Sequence, residues 1–148
     1  MSYSERELLA RIIKCEAGGE GEDGMKAVAT VVMNRVNCAD GEYARISQGG
    51  SIRNIIYQAG QFDCAREEIN GKYNAQNIYN SPPEAIHYDI ADWAIAGNKL
   101  NEVGECLWFL NPYSPNCIST FPYNGSGTFH TRINQHCFYR PTSAYYET

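Results

Sequence analysis

Residues 24–36, GMKAVATVVMNRV, constrain the fold more than any other stretch. Met25, Ala27, Val28, Ala29, Val31, Val32, Met33 and Val36 nearly surround a helix of that length, leaving no broad face for water. Such a helix belongs in the middle of a domain, with other elements covering it on several sides. Asp23 is placed to cap its start. A chain of 148 residues is long enough for such a core, because a domain of that size buries roughly 70% of its unfolded surface. One domain over residues 1–148 is therefore expected.

The flanking segments supply the covering elements. Ser4-Glu5-Arg6-Glu7 reads as a capping box in which Glu7 reaches back. Leu9, Ile12, Ile13 and Glu16 then follow at i, i+3, i+4, i+7, and Gly18-Gly19 ends this first helix. Residues 37–51 read as a loop, and Ser51 caps a short helix through Tyr57. Residues 58–80 form a long polar stretch, a length that in a compact domain usually serves function. Ser81-Pro82-Pro83-Glu84 reads as a second capping box, with Ile86, Ile90, Trp93 and Ala94 on one face up to Gly97. Beyond it, CLWFL, CISTF, TFH and HCFY read as short strands between turns. The expected fold class is α+β, helices first and a small antiparallel sheet toward the C-terminus.

A net charge of −5 argues against binding to nucleic acid or an anionic membrane surface, and no apolar run reaches membrane-spanning length. The start, MSYSERELL, has neither the basic nor the apolar region of a signal peptide. The six cysteines include no C-x-x-C pair, which argues against zinc; free buried thiols are the default expectation without export, with one or two bridges as the alternative after export or lysis.

Glu16 is the candidate for chemistry. It continues an apolar stripe and sits at a helix C-terminus, where the dipole disfavours an anion. Both conditions raise a carboxyl pKa, and an acid protonated near neutrality suits general acid catalysis. Glu20, Glu22 and Asp23 follow a break and suit the start of the next helix. Cys15, near a helix C-terminus, lacks the setting that activates a thiol and is expected to pack in the core. His87 is expected to meet solvent or cap locally, and His130 and His136 to fall in the terminal strands. Eleven tyrosines, flat rings with a polar tip, lean toward a glycan ligand, although packing claims most of them.

Four blocks in order carry a resemblance: LLARIIKCEAGGEGEDGMKAVATVVMNRV, IIYQAGQFDC, LWFLNP and INQHCFY. They resemble the catalytic domain of the spore cortex-lytic cell wall hydrolases, the SleB/CwlJ-type family. Asp63 stands where that family usually has a small hydroxyl residue, Asn134-Gln135 replaces a glycine–asparagine, and the insertion at 113–128 is unusual. The resemblance implies a lysozyme-like fold and cleavage of the MurNAc–GlcNAc β-1,4 bond of peptidoglycan, in spore cortex or cell wall, without a cofactor or metal. It places the catalytic glutamate at Glu16, and Gln61, Phe62, Asn111, His136, Tyr139 and Glu20 along or behind the glycan cleft. It leaves room for a regulatory or coat-protein partner. The leading expectation is a lytic transglycosylase. The alternatives are a muramidase using Glu20 or Asp63 as second acid, a non-catalytic glycan-binding coat module, and a Cys15/His136 amidase.

Overall fold

The computed structural model describes residues 3–148. Five helices come first: α1 (Glu5–Ala17), α2 (Gly21–Val36), α3 (Gly41–Ser47), α4 (Ile52–Ile56) and α5 (Ala85–Ile95). Between α4 and α5 lie one 3-10 turn (Asp63–Ala65) and a two-residue hairpin, β1 (Glu68–Ile69) with β2 (Lys72–Tyr73). Strands β3 (Trp108–Leu110), β4 (Gly127–Ile133) and β5 (His136–Pro141) follow, forming an antiparallel sheet in the order β3-β5-β4.

α2 is covered as its sequence requires. Ala27, Val28, Ala29, Val31 and Val32 are all fully buried. Val28 and Val32 join Leu8, Leu9, Ile12 and Ile13 of α1, with Ile90 and Ala94 of α5, in the main core. Ala27 and Val31 face the other way, onto Val103, Cys106 and Phe138 of the sheet side. Burying each such aliphatic side chain stabilises by about 1.5–3 kcal/mol, so α2 is the element that joins the helical and sheet halves.

Several local expectations change. Ser4 does cap α1, accepting from Glu7 N at 3.1 Å, but the Glu7 carboxylate pairs with Arg11 instead of reaching back. α2 starts at Gly21, before Asp23, because Gly21 takes a left-handed φ of 75° that turns the chain directly into the helix. Residues 41–47 are helical although only Tyr43 and Ser47 of that segment are buried, too few for a visible stripe. α5 starts after Glu84, whose capping partner is His87: Glu84 N donates to His87 Nδ1 at 2.9 Å. In the helix that follows, His87 is buried on one stripe with Ile90, Ala91 and Ala94, and Ile86 is 38% exposed. The CISTF segment forms only an isolated bridge, Thr120 to Thr128.

The thiols also depart from expectation. Cys15 pairs with Cys64 and Cys117 with Cys137, leaving Cys38 and Cys106 free. The first pair joins residues 49 apart because the irregular 58–80 stretch folds back onto the end of α1. A disulfide-bonded Cys15 is neither a core thiol nor a nucleophile.

Candidate active site cleft

A cleft of about 800 Å³ runs between the helical half and the sheet. Its floor is the last turn of α1. Glu16 lies there because it extends the α1 stripe just past the core: Ile12 and Ile13 are fully buried, while Glu16 is partly open to the cleft. Burial, together with the negative charge of Asp63, pushes Glu16 up to about 7, against the opposing pull of Arg35. Among the described residues no hydrogen bond holds its carboxyl group. The cross-link sets this environment, since Cys15 precedes Glu16 and Cys64 follows Asp63.

Arg35 is the residue the sequence reading passed over. It is 4% exposed, and its Nε donates to Leu107 O at 2.7 Å. Its Nη1 donates to Gln61 Oε1 at 3.2 Å, and the guanidinium lies 4.9 Å from the Tyr43 ring centroid and 5.3 Å from that of Phe62. Tyr43 Oη also donates to Gln61 Oε1, at 3.2 Å. With its oxygen occupied twice, Gln61 has its amide nitrogen left for a ligand. Arg35 therefore ties α2, α3, the 60–64 segment and the entry to β3 around Glu16.

The other expected residues divide. Gln61, Phe62, Asn111, His136 and Glu20 all line the cleft. Tyr139 does not: it is fully buried behind the sheet wall, donating to Ile118 O at 2.8 Å and packing on Phe121. Its cross-strand partner Trp108, on the same face of the sheet, and Phe121, which packs on it, line the cleft in its place. Asn111 uses its Oδ1 to accept from Tyr113 N at 2.9 Å.

Glu20 spans the two walls. Its Oε1 accepts from Gln135 N at 2.9 Å, and its carbonyl accepts from Asn134 Nδ2. Asn134 holds the left-handed φ of 52° that turns β4 into β5, so Glu20 grips the tip of that hairpin. His136 Nδ1 sits 3.4 Å from Glu20 Oε1 without hydrogen-bond geometry, and its ring meets Phe109 edge-on at 5.1 Å. Burial pushes the imidazole pKa down and so favours the neutral ring, against the opposing pull of Glu20. No group of three or more His, Cys, Asp or Glu side chains suited to a metal occurs among the described residues.

With this geometry, comparison with known proteins identifies the family. Residues 19–139 match the family model described as Cell Wall Hydrolase. The chain belongs to the cell wall hydrolase family. The matched stretch opens at Gly19, so Glu20, Arg35, Gln61 and His136 lie inside it and Glu16 just upstream. The cell wall hydrolase CwlJ of Bacillus subtilis is 32% identical over 139 residues, covering 93% of this chain and 85% of that protein. The CwlJ of Halalkalibacterium halodurans is 28% identical over 93% of this chain and 86% of its own length. Among solved structures, the catalytic domain of the germination-specific lytic transglycosylase SleB from Bacillus anthracis superposes with a TM-score of 0.66 at 21% identity, over 95% of this chain and 97% of that one. The catalytic domain of Bacillus cereus SleB gives 0.59 at 22%, over 94% and 93%. These matches establish the mixed helix-and-sheet fold of the SleB catalytic domain. No helix among the described residues is long and apolar enough to cross a membrane.

Proposed function

We propose that this cell wall hydrolase is a lytic transglycosylase that cleaves the MurNAc–GlcNAc β-1,4 bond of spore cortex or cell wall peptidoglycan, with Glu16 as its single acid and base. Protonated Glu16 donates to the glycosidic oxygen as the bond from muramyl C1 breaks, and the GlcNAc hydroxyl departs. The C6 hydroxyl oxygen of the same muramyl residue then closes on C1. Its proton goes to the Glu16 carboxylate, which restores the acid. The observation that carries this reading is that two of the three other carboxylates lining the cleft, Glu20 and Glu42, are already committed within the chain, which leaves Glu16 with Asp63 alone. Glu20, the nearest acid in sequence, is committed to Gln135 N, and the Glu42 carboxylate accepts from Gln58 Nε2 at 3.0 Å. A pKa of about 7 lets one group both give and recover a proton at neutral pH.

The products test it directly. Digested peptidoglycan analysed by mass spectrometry is expected to carry 1,6-anhydro-muramyl ends, each lighter by one water than the hydrolytic product. Only reducing muramic ends would reject the mechanism.

Asp63 supports one second reading, a hydrolytic muramidase. It is exposed on the cleft wall and its charge reaches Glu16. As a second carboxylate it would hold a water for attack on C1. The variant Asp63→Asn separates the two. If Asp63 only tunes Glu16, its removal lowers the pKa of the acid, and the alkaline limb of the kcat/KM profile moves to lower pH. Turnover at pH 8 then falls by roughly two- to fivefold while the product stays anhydro. Loss of activity by roughly 10²-fold or more at every pH would instead make Asp63 a reacting group.

A further inference from the structure

Tyr113 stands apart from every other exposed aromatic residue. It is 89% exposed, the highest value among the large apolar side chains. The other exposed aromatic residues each have a partner within the chain. Tyr123 meets Phe121 edge-on at 5.7 Å, Tyr146 meets Tyr145 at 5.4 Å, and Phe129 meets Tyr139 at 6.1 Å. The Tyr57 hydroxyl accepts from Tyr79 Oη at 2.9 Å, and the Tyr73 hydroxyl accepts from Asn77 and Asn80. Among the described residues the Tyr113 ring has neither an aromatic nor a cationic neighbour, and its hydroxyl has no hydrogen bond.

Its backbone is also unusual. Tyr113 takes a left-handed φ of 51°, where the other non-glycine residues are Gln48, Asn70 and Asn134. Asparagine enters that region readily, whereas for a bulky side chain it is an outlier. The conformation is held in place: Asn111 Oδ1 accepts from Tyr113 N at 2.9 Å, and Ser114 Oγ accepts from Asn116 N at 3.1 Å. The Cys117–Cys137 cross-link then fastens the loop to β5. Folding thus accepts both an exposed ring and a strained backbone, and no contact inside the chain offsets either. Residues held this way concentrate at ligand clamps.

The position says what is clamped. Tyr113 lines the same cleft as Glu16, on the sheet wall beside Asn111, Phe121 and Pro122. The loop that carries it is the insertion at 113–128. We infer that Tyr113 forms an additional sugar subsite, its ring stacking on a pyranose of the glycan strand away from the cleaved bond. This inference rests on the peptidoglycan-glycan reading of the cleft. A tyrosine offers a flat apolar face to the C–H side of a sugar and a hydroxyl to its rim. The inserted loop therefore lengthens the footprint on the strand without altering the reacting groups.

The test uses glycan strands of defined length, stripped of stem peptides, binding to the full chain carrying Glu16→Gln so that nothing is cleaved. Tyr113→Gly in that background removes the ring and suits the left-handed backbone. It is expected to melt at or above the temperature of the parent and to bind long strands about three- to tenfold more weakly. Tyr113→Trp should retain the affinity. Equal affinity of the glycine and parent proteins for long strands would overturn the subsite. An effect seen only on strands that keep their stem peptides would overturn it too. If the Glu16→Gln protein binds no glycan of any length, the underlying reading of the cleft fails instead.

Discussion

Glu16→Gln is expected to lower peptidoglycan turnover by about 10²–10⁴-fold, the usual contribution of a positioned acid and base, while leaving glycan binding intact. The same change should make the protein more stable at alkaline pH. In the fold the Glu16 carboxyl has a pKa of about 7, above its ordinary value of 4.5. The folded state therefore holds the proton more tightly than the unfolded chain does. That contribution to stability is fully present below about 4.5 and is lost as the pH rises through 7, amounting to at most about 3 kcal/mol. Glutamine carries no such dependence. Thermal melts of the two proteins should nearly coincide at pH 4, with the variant several degrees higher at pH 8. A variant that turns over normally would remove Glu16 from the chemistry, and one that is less stable at pH 8 would overturn the raised pKa.

Arg35→Met is the second large expected effect. Burial of a guanidinium works against the fold, and burial pushes the Arg35 pKa below its ordinary value. Removing it nevertheless leaves Leu107 O without its 2.7 Å donor and Gln61 with one donor in place of two. It also takes the cation from the Tyr43 and Phe62 faces. An unsatisfied buried polar group costs about 1–3 kcal/mol, so a net loss of roughly 2–4 kcal/mol in denaturant unfolding is expected. Activity should fall about tenfold or more as Gln61 and Phe62 loosen. The distinguishing sign is electrostatic. Arg35 draws the Glu16 pKa down, so the variant should move the alkaline limb of the pH profile upward, opposite to Asp63→Asn. Arg35→Lys should retain the limb but only part of the stability, because an ammonium cannot reproduce the planar fork. A limb that stays put in Arg35→Met would reduce Arg35 to scaffolding.

The reasoning that isolates Glu16 applies equally to Arg35, and the comparison shows where sequence reading stops. Val28, Val31 and Val32 lie seven, four and three residues before Arg35, so it too continues an apolar stripe. It is easily passed over because an arginine in the last turn of a helix is what the dipole favours anyway. α2 itself was legible because all its faces are apolar. α3 was not, since two buried residues in seven leave no period to detect. In α5 adjacent residues lie about 100° apart around the axis, and the buried stripe runs through His87, Ile90, Ala91 and Ala94, one position on from the Ile86 that hydrophobicity favours. The Cys15–Cys64 pairing depends on how an irregular 23-residue stretch, 58–80, folds back, and spacing carries no information about that. Tyr139 is expected along or behind the cleft, and it lies behind: strand alternation does not say which residue of a face reaches the surface, and here Trp108 and Phe121 do while Tyr139 is buried.

The strand order has a consequence for how this enzyme comes into being during synthesis. β5, the last strand made, is the middle one, and both β3 and β4 are hydrogen-bonded to it and not to each other. The grip of Glu20 on Gln135 likewise spans 115 positions along the chain. Glu16, the proposed acid, is thus translated before the sheet, and the opposite wall of its cleft is assembled only when β5 emerges. A nascent chain that stops short of β5 carries Glu16 but lacks the strand that joins β3 to β4, so the cleft proposed to take the glycan has no sheet wall until β5 is made.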